Sequence, residues 1–314
     1  MKVLIIRPGA LGDTLLMLPA LAALKGKATV DFAGRQPGLG YIGDAVCRAM
    51  DLETAGWHRL FADPSGVPGR PPLPVSRADR IVAFFKDEGG IIRGNLKAFF
   101  PGASVWVLPA FPPKGKQIHV ARYLARRLQL AGLPVNSDGA LREAGGRPLL
   151  SGPWTSKNRD RMVFHPGSGA PKKNHSPEFW MNLLQRHGEM PRFARLRPTL
   201  LLGPAEAPLQ DFFRNHTLVP RLEILFCPEK EQLLNVLGSA AFYLGHDSGV
   251  THLSGLMGTP TVALFKQTDP VQWGPLGPYV RIIHRQKADP KLFELTMAAV
   301  NAMFTVFSDK RGQP

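Results

Sequence analysis

KVLIIRPGALGDTLLMLPAL, residues Lys2 to Leu21, opens the chain with an apolar run that breaks into a loop holding two close glycines and an aspartate. The run Lys2–Ile6 does not alternate apolar with polar residues, which suits a strand buried on both faces of a parallel sheet. A loop over 7–12 follows, and residues 13–24 have helical spacing with Pro19 as a kink. Residues 28–33 read as a second strand. Strand, loop, helix and strand at this spacing predict the start of a doubly wound α/β sheet. The Gly9-x-x-Gly12-Asp13 spacing is not the dinucleotide fingerprint, which needs a third glycine and a distant acid. Bare backbone and a fixed carboxylate serve another purpose here.

The same grammar continues along the chain. RIVAFF (80–85) and SVWVLP (104–109) read as strands, and HVARYLARRLQLAGLP (119–134) as a helix stopped by Gly132 and Pro134. The Pro/Gly-rich stretch 63–75 reads as a long surface loop. Residues 135–160 are polar and without clear period, and a domain boundary is expected there, separating residues 1–150 from 151–290. The pattern then restarts. RMVFHPG (161–167) is a strand entering a Gly/Ser loop. SPEFWMNLL (176–184) is a helix with Ser176 as N-cap and Pro177 at its first position. TLLLG (199–203), EILF (223–226), AFYLG (241–245) and TVALF (261–265) are further strands, with a helix over 230–240 and another closing on Gly258. A last helix over 291–307 is expected to return towards the first domain. Two Rossmann-like domains facing each other across a cleft are the predicted architecture. Open α/β sheets bind ligands beyond the carboxyl ends of their strands, where the loops 7–13, 165–175 and 246–252 fall.

Composition narrows the partners. The 314 residues carry a net charge of +15, of which residues 1–150 hold +9. Such a balance calls for an anionic partner. No run of five or six like charges occurs, so a basic nucleic-acid tail is not indicated. Cys47 and Cys227 stand alone in different halves, which gives no disulfide framework and suits a reducing compartment. The opening apolar run is too short for a signal-peptide core, and no stretch approaches the roughly 20 apolar residues needed to span a bilayer.

Chemistry concentrates in the three loops. In GHDSGVTHL, Asp247-Ser248-Gly249 leads from a strand into a helix N-terminus, which offers unpaired N–H groups and a positive dipole end to a phosphate. Ser248 adds a hydroxyl. Asp247 would cap the helix or accept a bond from a sugar hydroxyl, and His252, one turn in, could donate to a leaving oxygen. An Asp-capped helix with a buried histidine is the plainer alternative. In HPGSGAPKKNHSPEFW, Gly167, Ser168 and Gly169 supply backbone donors without bulk, and Lys172 and Lys173 supply cations fit for a diphosphate; a solvated surface loop is the alternative. In the opening loop, Gly9 and Gly12 admit close approach, and Asp13 at a helix start is either a cap or a general base for a hydroxyl nucleophile.

VLIIRPGALGDTLLMLPAL, FHPGSGAPKKN, LLLGPAEA and GHDSGVTHLSGLMGTPTVALFKQTDPVQWGP together resemble bacterial glycosyltransferase family 9, the ADP-heptose:lipopolysaccharide heptosyltransferases. The likeness is sharp over the first 25 residues and from about 161 to 278. It implies a GT-B fold, an inverting transfer without metal or cofactor, and a nucleotide-sugar donor, ADP-heptose by default, on the C-terminal domain. It implies an anionic glycolipid acceptor, the lipopolysaccharide inner core, on the N-terminal domain of a cytoplasmic enzyme that visits the inner membrane surface. Asp13 matches the family's general base. Lys172 or Lys173 matches its phosphate-binding lysine, and Asp247, Ser248, Gly249 and His252 match its donor motif. Glu206 matches a ribose contact. Arg35, Arg93, Lys97, Arg122 and Arg126 are candidates for attracting the acceptor. The chain departs from the family at His175, where tryptophan is usual, and at Lys266-Gln267, where Gly-Pro is usual.

Other readings make distinct demands. A transferase for another envelope glycan keeps the fold and changes the nucleotide sugar. A non-catalytic nucleotide-sugar binder would not need Asp13. An NAD-dependent oxidoreductase would need G-x-G-x-x-G after the first strand, which is missing. A nucleic-acid binder would show aromatic residues interleaved with basic ones, which are not evident.

Overall fold

The computed structural model describes residues 1–54, 56–62, 72–154, 159–216, 219 and 221–309. The chain divides into two compact units, Met1–Glu143 and Ala144–Pro314. The first contains β1 (Lys2–Ile6), α1 (Leu11–Leu15), α2 (Leu18–Leu24), β2 (Thr29–Gly34), β3 (Arg48–Asp51), β4 (Arg80–Phe84), α3 (Ile91–Phe99), β5 (Ser104–Leu108), α4 (Val120–Leu130) and α5 (Ser137–Gly146), which runs across the division. Its strands form a five-stranded sheet in the order β3-β2-β1-β4-β5, and every pair is parallel. β1 is central, so Val3, Leu4, Ile5 and Ile6 are all without solvent exposure. That explains an apolar run with no alternation.

The second unit contains β6 (Arg161–His165), α6 (Pro177–Gly188), β7 (Arg197–Leu202), α7 (Leu209–His216), β8 (Glu223–Phe226), α8 (Lys230–Gly238), β9 (Ala240–His246), α9 (Gly249–Leu256), β10 (Thr261–Phe265), α10 (Pro270–Trp273), β11 (Val280–His284) and α11 (Pro290–Asp309). The order is β11-β10-β9-β6-β7-β8, again all parallel. Counted from the first strand of each unit, the two sheets share the doubly wound order 3-2-1-4-5, and the second adds a sixth strand. In each, the strand order reverses beside the first strand: between β1 and β4, and between β6 and β9. The loops after β1, β6 and β9 therefore sit at the points where such sheets bind ligands.

Local chemistry explains most boundaries. Ser176 caps α6 by accepting from the Phe179 N–H at 3.4 Å, with Pro177 at the first helical position. Along α6, Phe179, Trp180, Leu183 and Leu184 are buried in a core with Phe164 and Leu244 of the sheet. Burying each such side chain stabilises by roughly 1.5–3 kcal/mol.

Several expectations are corrected. The single helix over 13–24 is two: α1 ends before Leu16, and Pro19 lies in the first turn of α2, where its missing N–H costs no helical bond. The stretch 135–160, read as lacking period, contains α5. Ser137 and Ala140 are buried along it, but the polar run Asp138, Arg142 and Glu143 hides that face. β3, α3, α7 and β11 were not expected; β3 is RAMD, with its first two residues exposed and a weak apolar signal. Within 63–75, residues 63–71 lie outside the described residues, while Leu73 and Val75 are buried in the first unit's core rather than on a surface loop. The C-terminal helix α11 buries Leu292, Ala299 and Val300 in the second unit's core.

Candidate functional site

In the first unit, α1 is only five residues long, and Asp13 is its third. The carboxylate turns back so that Oδ2 accepts from the Ala10 N–H at 3.1 Å. The helix is too short for its dipole to be the main partner of that charge. Arg7 supplies it: the Arg7 Nη2 stands 3.6 Å from Asp13 Oδ1, Nε donates to the Asp13 carbonyl at 3.3 Å, and Nη1 to the Ala110 carbonyl at 2.8 Å. Arg7 is fully buried, whereas the Asp13 side chain keeps 23% of its surface. Burial pushes the Arg7 guanidinium down to about 10, and Asp13 opposes that shift, so the cation persists at neutral pH. Gly9 makes the arrangement possible. A Cβ there would stand 2.5 Å from the Asp13 Cβ and 3.1 Å from its carboxyl carbon. Gly12 is the second residue of α1.

In the second unit, Lys173 Nζ donates to Asp247 Oδ2 at 2.8 Å, and Thr268 Oγ1 donates to the same oxygen at 2.6 Å. Of the two predicted lysines, the structure brings Lys173 to the β9 loop, while Lys172 is exposed. Asp247 is not the cap of α9. Ser248 is: its backbone is extended and its Oγ accepts from the Thr251 N–H at 3.3 Å. The Ser248 hydroxyl also lies 3.0 Å from Thr251 Oγ1 and 3.4 Å from His165 Nδ1, which ties the cap to the buried network beneath it. Gly249 is the first residue of α9, and His252 is buried one turn on. Ser168 Oγ bonds the Asn174 side chain, which ties the loop into a closed turn.

Glu206, beyond β7, is buried and accepts from the Gly203 N–H at 3.0 Å. Its carboxylate packs directly on the Gly167 backbone, since a Cβ on Gly167 would stand 2.0 Å from the Glu206 carboxyl carbon. Ser168, Lys173, Glu206, Asp247 and Ser248 are thus gathered at the reversal point of one sheet. Of the acceptor candidates in the first unit, Arg35 is paired with Glu53 at 2.6 Å and Arg122 with Asp138 at 3.2 Å. Arg93 and Lys97 are exposed one turn apart on α3, and Arg126 is exposed on α4.

Sequence reasoning did not find the support beneath these loops. His246 holds the β6 loop: its Nδ1 donates to the Pro166 carbonyl at 2.8 Å, and its Nε2 accepts from the His175 N–H at 2.9 Å. This fixes a neutral imidazole, consistent with a pKa pushed well below the usual range by burial and by His175. His165 bonds Tyr243 at 2.9 Å, Tyr243 bonds Thr251 at 3.0 Å, and Thr251 donates to the His246 carbonyl. Burial holds His165 at about 4. Lys266 Nζ donates to the Asn174 carbonyl at 2.8 Å and so braces the same loop. The signal for Arg7 was present as a charged residue continuing an apolar parallel strand.

The model of glycosyltransferase family 9 (heptosyltransferase) matches residues 110–299, more than half of the chain. The chain belongs to glycosyltransferase family 9. It is therefore a glycosyltransferase. Among solved structures it resembles Escherichia coli heptosyltransferase WaaC with ADP, at 15% identity and TM-score 0.66, over 96% of this chain and 100% of that one. It also resembles E. coli ADP-heptose lipopolysaccharide heptosyltransferase II, at 16% identity and TM-score 0.68, over 98% and 100%. A family 9 glycosyltransferase of Veillonella parvula matches at 13% identity and TM-score 0.69, over 97% of each chain. At these identities the likeness is one of fold, and it places the two parallel sheets of this transferase in the GT-B class. A search of curated protein sequences finds no significant match. Among the described residues no helix is long and apolar enough to cross a membrane.

Proposed function

We propose that this glycosyltransferase moves a heptose-type sugar from an ADP-sugar to an anionic glycolipid of the lipopolysaccharide inner core, with inversion and without a metal. The observation that carries the reading is the second unit's gathering of Lys173, Ser168, Ser248 and the α9 N-terminus at one reversal point, above a buried Glu206. Cations, hydroxyls and unpaired N–H groups suit a diphosphate, and a carboxylate set apart from them suits a ribose. The family and the ADP in the WaaC structure support the choice of nucleotide.

The residues then have distinct roles. The acceptor hydroxyl attacks the anomeric carbon while ADP leaves, so negative charge grows on the diphosphate. Lys173, Lys172 and the start of α9 would stabilise that charge. Asp247 holds Lys173 in place, and His252 is a donor to the leaving oxygen. Asp13, kept partly exposed, would take the acceptor's proton, a contribution of about 10²–10⁴-fold. Arg93, Lys97 and Arg126 would draw the acceptor's phosphates and carboxylates, with Arg35 and Arg122 assisting by exchange of their partners. An acceptor of this kind places the enzyme at the inner face of the cytoplasmic membrane; nucleic acid is not a partner.

Lys266 and His175, both against the Gly167–Asn174 loop, favour one second reading: the same chemistry with another nucleotide sugar. Calorimetric titration with ADP, UDP and GDP in metal-free buffer decides between them. Selective ADP binding is expected. Selective UDP or GDP binding would keep the mechanism and overturn the donor, and no binding to any would overturn the transferase assignment for these loops.

A further inference from the structure

β1 carries one charged side chain past its apolar run and into the interior. The Arg7 N–H donates to the Ala33 carbonyl at 2.8 Å, so the backbone is still in the ladder. The guanidinium lies 5.7 Å from the ring centre of Phe84 and 5.2 Å from that of Phe111. Two of its nitrogens are committed to the Asp13 and Ala110 carbonyls. The third, Nη2, is buried and has no hydrogen-bond acceptor. It faces Asp13 Oδ1. The other carboxylate oxygen is held by the Ala10 N–H.

A buried guanidinium is an expensive way to fill space between two phenyl rings. Burying an ion costs several kcal/mol, and an apolar residue of similar volume is often as stable or more so. A methionine would fill the slot, but it could not orient a carboxylate. Lysine could bring the charge, but not a fork that reaches one carbonyl on each side and the carboxylate between. We propose that Arg7 is a positioning residue for the transfer reaction, fixing the Asp13 carboxylate in the orientation from which it takes the acceptor proton. The inference rests on the reading of Asp13 as the base. With Oδ2 held by the Ala10 N–H and Oδ1 drawn to the buried cation 3.6 Å away, the carboxylate is oriented without a side-chain rotation to freeze on each turnover. Misplacing a reacting group by about 1 Å costs about 10²-fold.

The test measures ADP release from ADP-heptose, with heptose-free inner-core lipopolysaccharide as acceptor. Arg7→Met is expected to lower kcat by about 10²-fold with the donor KM within about threefold. Arg7→Lys should fall between Arg7→Met and wild type. In Arg7→Ala, millimolar guanidinium chloride is expected to restore kcat at least about tenfold, while equal concentrations of sodium chloride or urea do not; a residue that merely fills space gives no such rescue. Adding Arg7→Met to Asp13→Asn should produce no further loss, because one acts through the other.

Asp13→Asn alone separates the two readings. If it keeps wild-type kcat, the base assignment fails, and Arg7 with it. If it loses kcat while Arg7→Met and Arg7→Ala keep theirs, or if their loss is not rescued by guanidinium, the Arg7 inference alone is overturned. Should wild type release no ADP from ADP-heptose, the donor proposal fails instead. Hydrogen exchange then judges Arg7: the peptide covering 8–16 should exchange at least about tenfold faster in Arg7→Met, with the second unit unchanged. Equal exchange would overturn the positioning role.

Discussion

Both units place a glycine just after their first strand, and in both the missing Cβ makes room for a carboxylate. In the first, Gly9 admits Asp13, four residues away. In the second, Gly167 admits Glu206, which arrives from the end of the neighbouring strand β7. The cations differ more. The first unit buries Arg7 beneath its carboxylate and leaves that carboxylate reachable. The second leaves Lys173 partly exposed over Asp247 and buries Glu206. One sheet order thus presents an accessible acid on a fixed cation, and also accessible cations on fixed acids. The lesson is that the shared topology sets where chemistry happens, while charge burial sets which kind.

The largest expected effect breaks the first half of the comparison. Asp13→Asn should lower kcat by about 10²–10⁴-fold and leave ADP affinity unchanged by calorimetry. An unaltered kcat would reduce Asp13 to a turn residue. Lys173→Ala tests the other half: loss of a charge-assisted contact should weaken ADP binding about 10–100-fold, with no change in the stability of the first unit. If ADP affinity does not move, the cations of that loop are not its phosphate site.

Gly167→Ala sharpens the comparison by removing the space for Glu206. The clash should cost roughly 1–3 kcal/mol of stability and weaken ADP binding, whereas Gly9→Ala should lower kcat with ADP affinity kept. Opposite outcomes would mean that the two glycines are turn residues only.

The smallest effect concerns pH. Folded His165 stays neutral down to about 4, whereas in the unfolded chain it protonates near the ordinary value of 6.5. The unfolded state therefore binds more protons between those limits, and stability falls as pH drops through that window. His165 alone contributes a loss of about 2 kcal/mol at pH 5 relative to pH 7. Chemical denaturation at the two pH values checks it: His165→Gln, which cannot titrate there, should remove about that share of the dependence, while the buried His175, His187 and His246, held low for the same reason, keep theirs.

Much was legible because its physics is local. Buried parallel strands such as Val3–Ile6 and Thr261–Phe265 announce themselves by unbroken apolar composition, and α6 by Ser176 and Pro177 at its start. Short partly exposed strands such as Arg48–Asp51 carry no such signal, because edge position removes the need for apolar residues. The linker region hid α5, since only part of one face is buried.

By itself the sequence determined the alternation of strand and helix, the restart near residue 161, the loops 7–13, 165–175 and 246–252, and the residue types those loops offer. Each follows from periodicity, capping or backbone freedom within a few neighbours. Tertiary structure alone decided that Ser248 rather than Asp247 caps α9, that Lys173 is drawn to Asp247, that Glu206 seats on Gly167, and that Arg7 turns inward to Asp13 and Ala110. These pairings join residues up to 103 positions apart. A charge so placed is satisfied only by partners that folding brings to it, and no local pattern encodes which partners those are.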